Sequence, residues 1–273
     1  MNKANFLFVI LVFLLITGCG TAEPTEVIKA QPSPTEIPPS VTPEPLPTNT
    51  PEPTATIQPT ATIDADPAVY DNFENPENDG FFNQGQWRLS GNNSNPNVQQ
   101  MDGVIMFSDG GEQENTATVL VAKNFDGFQI ESPMFFEADL MLSPDSGPGD
   151  VNLTLYALDI SPDWFAKCFI QRYDAHGANC MHASWDEGLS GGYDAFYRNI
   201  TPGTWHHFRI EVDPQTMQFT YYIDDARSGK NVPLDAERLQ DAKFQVVIGI
   251  YKNTVDQPVF GSIDNVKIGS IMP

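Results

Sequence analysis

From residue 67 to 273 the chain reads as an all-β domain, a two-sheet antiparallel β-sandwich, and three observations lead there. The first is the stretch from Trp205 to Asp224. Phe208, Ile210 and Val212 alternate with His207, Arg209 and Glu211, and Phe219, Tyr221 and Ile223 repeat the pattern after Asp213-Pro214-Gln215-Thr216. A period of two marks a half-buried strand, and a polar cluster with Pro between two such runs marks a turn, so the stretch reads as an antiparallel hairpin. The second observation is a succession of roughly ten to fourteen short aromatic and β-branched runs, separated by Gly, Asn, Asp and Pro. The third is that no helical stripe lies between them, residues 235–239 being the one fair helical candidate. Two sheets would bury their apolar faces against each other and leave alternate residues on two outer faces.

Two segments precede the domain. Residues 1–18 carry Lys3 and an apolar run from Phe6 to Ile16, short for a membrane span but suited to a secretory signal. Ile16-Thr17-Gly18-Cys19 places small residues directly before a cysteine, as in the processing box of bacterial lipoproteins. Cys19 is therefore expected to carry lipid and to hold an extracytoplasmic protein on the cell envelope membrane. Residues 19–66 are dominated by Pro and Thr, with Thr-Pro-Glu-Pro at 42–45 and again at 50–53. Such a segment has little to bury against the entropy of ordering, so it is expected to be a disordered linker. In polyproline-II conformation, at ~3.1 Å per residue, it could reach ~100 Å or more.

Within the domain, Asp71 to Glu74, Gly80 to Phe82 and Gln86 to Leu89 open a series of expected strands. Val104 to Ser108, Thr116 to Val121, Phe135 to Leu142, Asn152 to Leu158 and Phe165 to Tyr173 continue it, and Lys243 to Tyr251 and Gly261 to Ile268 follow the hairpin. Phe135 to Leu142 alternates cleanly, with Phe136, Ala138, Leu140 and Leu142 on one face and Phe135, Glu137, Asp139 and Met141 on the other.

The whole chain carries a formal charge of −22, and from residue 67 onward 29 acidic residues stand against 12 basic ones. A surface of that sign repels nucleic acid and anionic lipid, so neither is an expected partner of the domain. It leaves many carboxylates for a hard cation such as calcium.

The order of these features resembles the concanavalin A-like lectin and glucanase superfamily, including laminin-G-like domains. The resemblance lies in Asp71-Asn72-Phe73, then Asp102-Gly103-Val104-Ile105, then Phe136 to Leu140, then Trp205 to Ile210 with its return Phe219 to Asp224, and a closing Gly261 to Ile268. It implies a jelly roll over most of 67–273. It also implies where hydrolases of the superfamily keep their acids: two glutamates flanking an aspartate on one strand, all facing one way so as to bracket a glycosidic bond. Glu137 and Asp139 match the first two places, and Met141 and Leu142 stand where the second glutamate belongs. The pair is a weak catalytic candidate, and the polar face of an ordinary strand accounts for it. The resemblance further implies one structural calcium between the first and last strands, with Asp264 as carboxylate ligand and Asp71 and Gly103 in the segments that supply the rest.

Two further features come from the residues themselves. Cys168 and Cys180 flank an expected hairpin turn and, in an exported protein, should form a disulfide; a zinc site with His176 and His182 is the alternative, at a spacing that matches no standard pattern. Ser184 to Arg198 reads as a glycine-rich recognition loop. Trp185, Tyr193 and Tyr197 offer flat faces for a sugar ring, while Asp186, Glu187 and Asp194 can accept hydroxyl protons. The expected function is a lipid-anchored cell-surface module that binds carbohydrate or mediates adhesion without catalysis, its partner a glycan or cell-wall polysaccharide. A glycoside hydrolase and a purely structural or protein-binding envelope domain are the rivals.

Overall fold

A computed structural model describes residues 69–271, apart from 161–162, 173–175, 187–188, 191–192 and 234–235. Cys19, the signal segment and the Pro/Thr linker lie outside the described residues.

The described strands form two eight-stranded antiparallel sheets. The first contains β1 (Val69–Asp71), β3 (Asn97–Met101), β4 (Val104–Asp109), β6 (Met134–Leu142), β12 (His206–Asp213), β13 (Gln218–Ile223), β14 (Ala226–Asn231) and β16 (Val259–Ser270). Its order is β14-β13-β12-β6-β16-β4-β3, with β1 on β16. The second contains β2 (Trp87–Gly91), β5 (Thr116–Phe128), β7 (Gly149–Leu158), β8 (Trp164–Arg172), β9 (His176–Asp186), β10 (Leu189–Ser190), β11 (Tyr193–Asn199) and β15 (Lys243–Lys252). Its order is β10-β9-β8-β7-β15-β5-β2, with β11 on β9.

The Trp205–Asp224 stretch forms the hairpin β12–β13, registered from Phe208 opposite Ile223 to Asp213 opposite Gln218. The Gln215 amide donates to the Asp213 carboxylate and closes the turn. Phe208, Ile210, Phe219, Tyr221 and Ile223 are all fully buried, as are Ala138 and Leu140 on the neighbouring β6. Opposite them the second sheet contributes Leu153, Leu155, Trp164, Ala166, Ile248 and Ile250 to the same core. Side chains of this size stabilise by roughly 1.5–3 kcal/mol each when withdrawn from water, so the inward phase of the two sheets is the main source of stability. The approach is close at Gly261 of β16, where a Cβ would stand 2.7 Å from Ile250 and 2.9 Å from Val151 of the facing sheet.

Three expectations change. Residues 80–82 form a turn instead of a strand: Asn75 caps a short 3-10 helix at Pro76–Asn78, and Gly80 follows at φ 84, a conformation glycine adopts without strain. β1 ends at Asp71 because Phe73 sits at φ 53, out of the extended range. Within Ser184 to Arg198, expected as a loop, the described residues 184–186, 189–190 and 193–198 are in strands. β9 runs on to Asp186, β10 folds back with Leu189 opposite Asp186, and β11 pairs with 177–182, Phe196 opposite Cys180. Phe196 and Tyr197 are good strand formers, and their strand pairs along β9 at the edge of the second sheet.

Cys168 lies directly opposite Cys180 across β8 and β9, and the two are joined as a disulfide in the interior. Both sulfurs are thereby committed, which removes the zinc alternative. Replacing both by Ala should lower the unfolding free energy by about 2–3 kcal/mol, the value for a clip across a short loop, as measured by urea denaturation against wild type.

Candidate functional site

The outer face of the first sheet is organised around the two acids of β6. The register sets Arg209 and Lys267 opposite Glu137 from the two sides, and His207 and Asp264 opposite Asp139. Glu137, 5% exposed, accepts from Arg209 Nη1 at 2.8 Å and from Lys267 Nζ at 3.0 Å, and His207 Nε2 lies 3.8 Å away. Asp139 meets His207 Nδ1 at 2.8 Å and accepts from Asn265 Nδ2 at 2.8 Å. Arg209 also binds Glu211 and lies over the Phe135 ring, 4.0 Å from its centroid.

These contacts fix the charges. Burial would raise the Glu137 carboxyl, but the bonds and charges of His207, Lys267 and Arg209 outweigh it and hold the group down at about 2. Asp139 is lowered in the same contest, chiefly by His207 and Asn265. His207 is raised to about 9, first by its bond to Asp139 and then by Glu137. A glycosidase acid must hold its proton near neutral pH. Both acids of β6 are instead lowered, and they sit in an ion-pair lattice with Arg209, Lys267 and His207.

Beside the lattice, Thr204 Oγ1, His206 and Asp224 form a file of hydroxyl, imidazole and carboxylate. His206 Nε2 stands 2.8 Å from the hydroxyl and Nδ1 2.7 Å from Asp224 Oδ2. The Thr204 hydroxyl donates to the Thr201 carbonyl at 2.6 Å, so its proton is turned away from the imidazole that would have to remove it. Trp205 is 42% exposed, at the rim, while Trp164 is core.

The residues expected to hold calcium come to one end of the first sheet. Asp71 pairs in register with Val266, and Gly103 lies beside Glu74. Burial and the fields of Asp139, Glu74 and Asp71 raise the Asp264 carboxyl, against the bond from the Asn265 amide. The Asp71 carboxylate is already engaged by the Phe73 amide at 2.9 Å and by Trp87 Nε1 at 2.8 Å. Among the described residues no group of three His, Cys, Asp or Glu is spaced to hold a metal ion. Asp71 and Asp264 thus bring two carboxylates to that end of the sheet, the first already engaged by protein donors.

The outer face of the second sheet is different in kind. On β7 the outward phase is Asp150, Asn152, Thr154 and Tyr156, while Val151, Leu153, Leu155 and Ala157 join the core. Thr154 Oγ1 donates to Asn152 Oδ1 at 3.0 Å, Asn152 Nδ2 to Asp150 Oδ1 at 2.8 Å, and Lys167 Nζ from β8 to Asp150 Oδ2 at 2.8 Å. Lys167 lies over Phe169, and Phe165 packs on Tyr156. The registers set one row across the sheet: Tyr197, Asn179, Phe169, Asn152 and Gly249. At its edge the Tyr197 ring is 47% exposed and packs over Gly177, where a Cβ would meet it at 2.5 Å; its hydroxyl donates to Asn199 at 3.2 Å.

Tyr197 is thus the one member of the expected recognition set whose side chain is described. Trp185 and Asp186 lie on β9, and Tyr193 and Asp194 on β11, bordering the same sheet, and their side chains lie outside the described residues. The β7 ladder is absent from the residues singled out by sequence. Its signal is there to see: a polar residue at every second place, 150 to 154, in a run whose other phase is wholly apolar.

No protein-family model matches the chain, and no curated protein does. Solved structures do, at the level of fold. An endo-acting O-glycanase from the human gut microbiota aligns over 74% of this chain and 98% of its own, with TM-score 0.57 and 14% identity. An endo-β-1,3-glucanase from Pyrococcus furiosus aligns over 74% and 93%, with TM-score 0.57 and 13% identity. The alginate lyase A1-II' covers 69% and 96%, with TM-score 0.54 and 9% identity. The fold is the concanavalin A-like jelly roll.

The lattice on the first sheet should make stability depend on pH at both ends. Folding lowers Glu137 from 4.5 to about 2, so its contribution is present above about pH 4.5 and is lost as pH falls through 2. Folding raises His207 from 6.5 to about 9, so its contribution is complete below about pH 6.5 and is lost as pH climbs through 9. Urea denaturation of wild type should show falling stability between about pH 7 and pH 9.5, and His207→Gln should flatten that limb. Equal slopes in the two proteins would refute the assignment to His207.

Proposed function

We propose that the mature protein is a noncatalytic carbohydrate-binding module, held outside the cytoplasm by lipid on Cys19 and displayed on the Pro/Thr stalk. Its glycan site is the outer face of the second sheet. The observation that carries this reading is the row that runs from the exposed ring of Tyr197 to the Asp150–Asn152–Thr154–Lys167 ladder. A flat aromatic face stacks on the C–H side of a sugar ring. Asp150, Asn152 and Thr154 are only 3%, 5% and 1% exposed, and their mutual bonds hold Lys167 oriented beforehand to meet the sugar's hydroxyls. Trp185 and Tyr193 belong to the strands that border this face and extend the candidate surface. The acids of β6, both held ionised, support the noncatalytic side of the reading.

A glycan array probed with the purified protein should return a carbohydrate ligand. For that ligand, Tyr197→Ala and Asn152→Ala should each weaken binding by about tenfold, the equivalent of about 1.4 kcal/mol. Unchanged affinity in both would move the site off this face, and release of reducing ends from the same glycan would replace the binding module by a hydrolase. A protein-binding envelope domain predicts no rise in melting temperature with any oligosaccharide, whereas a sugar binder is stabilised by mass action.

The anchor has its own test. In cells that process lipoproteins, wild type should fractionate with membranes and Cys19→Ala should not. Equal partitioning would remove the lipid anchor and leave the domain reading untouched.

A further inference from the structure

The alternation that fills the interior carries charge at one place. Along β4 the buried phase runs Ile105, Phe107 and then Asp109; along β15 it runs Phe244, Val246, Ile248, Ile250 and then Lys252. An acid and an amine thus occupy the last inward places of two facing strands, one in each sheet, and both are fully buried. Lys252 Nζ stands 3.3 Å from Asp109 Oδ1 and also donates to the Gly111 carbonyl. The Thr116 hydroxyl donates to Asp109 Oδ2 at 2.6 Å and the Gly111 amide to Oδ1 at 3.1 Å.

Two full charges withdrawn from water are held at a large desolvation penalty, which their mutual attraction offsets only in part. Transfer of one proton across that 3.3 Å contact would turn the pair into an amine and a carboxylic acid. The two groups are then a nucleophile and an electrophile in contact, with no translational freedom left to lose. Donors on both carboxyl oxygens draw electron density from Cγ and are already in place for the charge that develops on oxygen during attack.

The geometry points to an isopeptide bond between Lys252 Nζ and Asp109 Cγ, a covalent strut between the two sheets. The ammonium first passes a proton to Asp109 Oδ1. The Nζ lone pair then forms the bond to Cγ, the Cγ–Oδ1 bond breaks, and that oxygen leaves as water with a second proton from Nζ. One ammonium and one carboxylate become one amide and one water, with no change of oxidation state and no co-reactant. Oδ2 stays as the amide oxygen and keeps its bond from Thr116. Two buried charges disappear, and the strut closes a loop between distant parts of the chain, at 109 and 252.

Peptide mapping of the wild-type full chain tests this without any variant. After reduction, denaturation and trypsin digestion, cleavage after Lys252 should fail. The segments 89–123 and 244–267 should appear as one branched species, lighter than their sum by one water, with fragment ions that place the junction at Asp109 and Lys252. Recovery of linear 89–123, 244–252 and 253–267 at full mass would leave Asp109 and Lys252 an ordinary ion pair and overturn the proposal. Lys252→Arg, which keeps the positive charge but cannot form the amide, should give linear 89–123 and a lower melting temperature than wild type.

Discussion

Side chains two residues apart on a strand share a face, and in this molecule that constraint decides nearly everything else. Once Phe136, Ala138, Leu140 and Leu142 are committed to the interior, Glu137 and Asp139 must project the other way. The hydrogen-bonded registers on either side then bring Arg209, His207 and Lys267 to them. The same rule on β7 sends Val151, Leu153 and Leu155 into the core and turns Asp150, Asn152 and Thr154 to the other side of the sheet, where they too are buried. A slip of one residue in either strand would exchange a polar ladder for a row of aliphatic side chains, so the core fixes the registers of both outer faces.

The two outer faces use polar groups to opposite ends. On the first sheet every anion of β6 has a cation on it, and the result is a closed lattice whose charge states are set by contact. On the second, the neutral amide of Asn152 and hydroxyl of Thr154 share a ladder with the ion pair between Lys167 and Asp150.

Much of the architecture is legible in the residues, because burial on one side of a strand leaves a local trace. The β12–β13 hairpin and the face assignment of β6 can be written down from Phe208, Ile210 and their neighbours alone. What the sequence conceals depends on partners far along the chain. Lys267 reaches Glu137 across 130 residues and His207 reaches Asp139 across 68, and no local pattern announces either meeting. Residues 184–198 read as a loop because glycines and acids interrupt their aromatic positions, and the pairing that makes β10 and β11 a sheet edge is supplied by β9. The Thr204, His206 and Asp224 file is similarly invisible, since Asp224 arrives from the far end of the hairpin.

One further consequence concerns how the molecule bears load. Tension transmitted along the polypeptide from its amino-terminal side enters the sandwich at β1, a three-residue strand on β16. That short pairing is reinforced by side chains: the Tyr70 hydroxyl on the Gln86 carbonyl, the Gln86 amide on the Tyr70 carbonyl, and the Trp87 indole on Asp71. Traction is thus handed from the first sheet directly to the segment that begins β2 in the second. A pull on that end would load this small knot of bonds first.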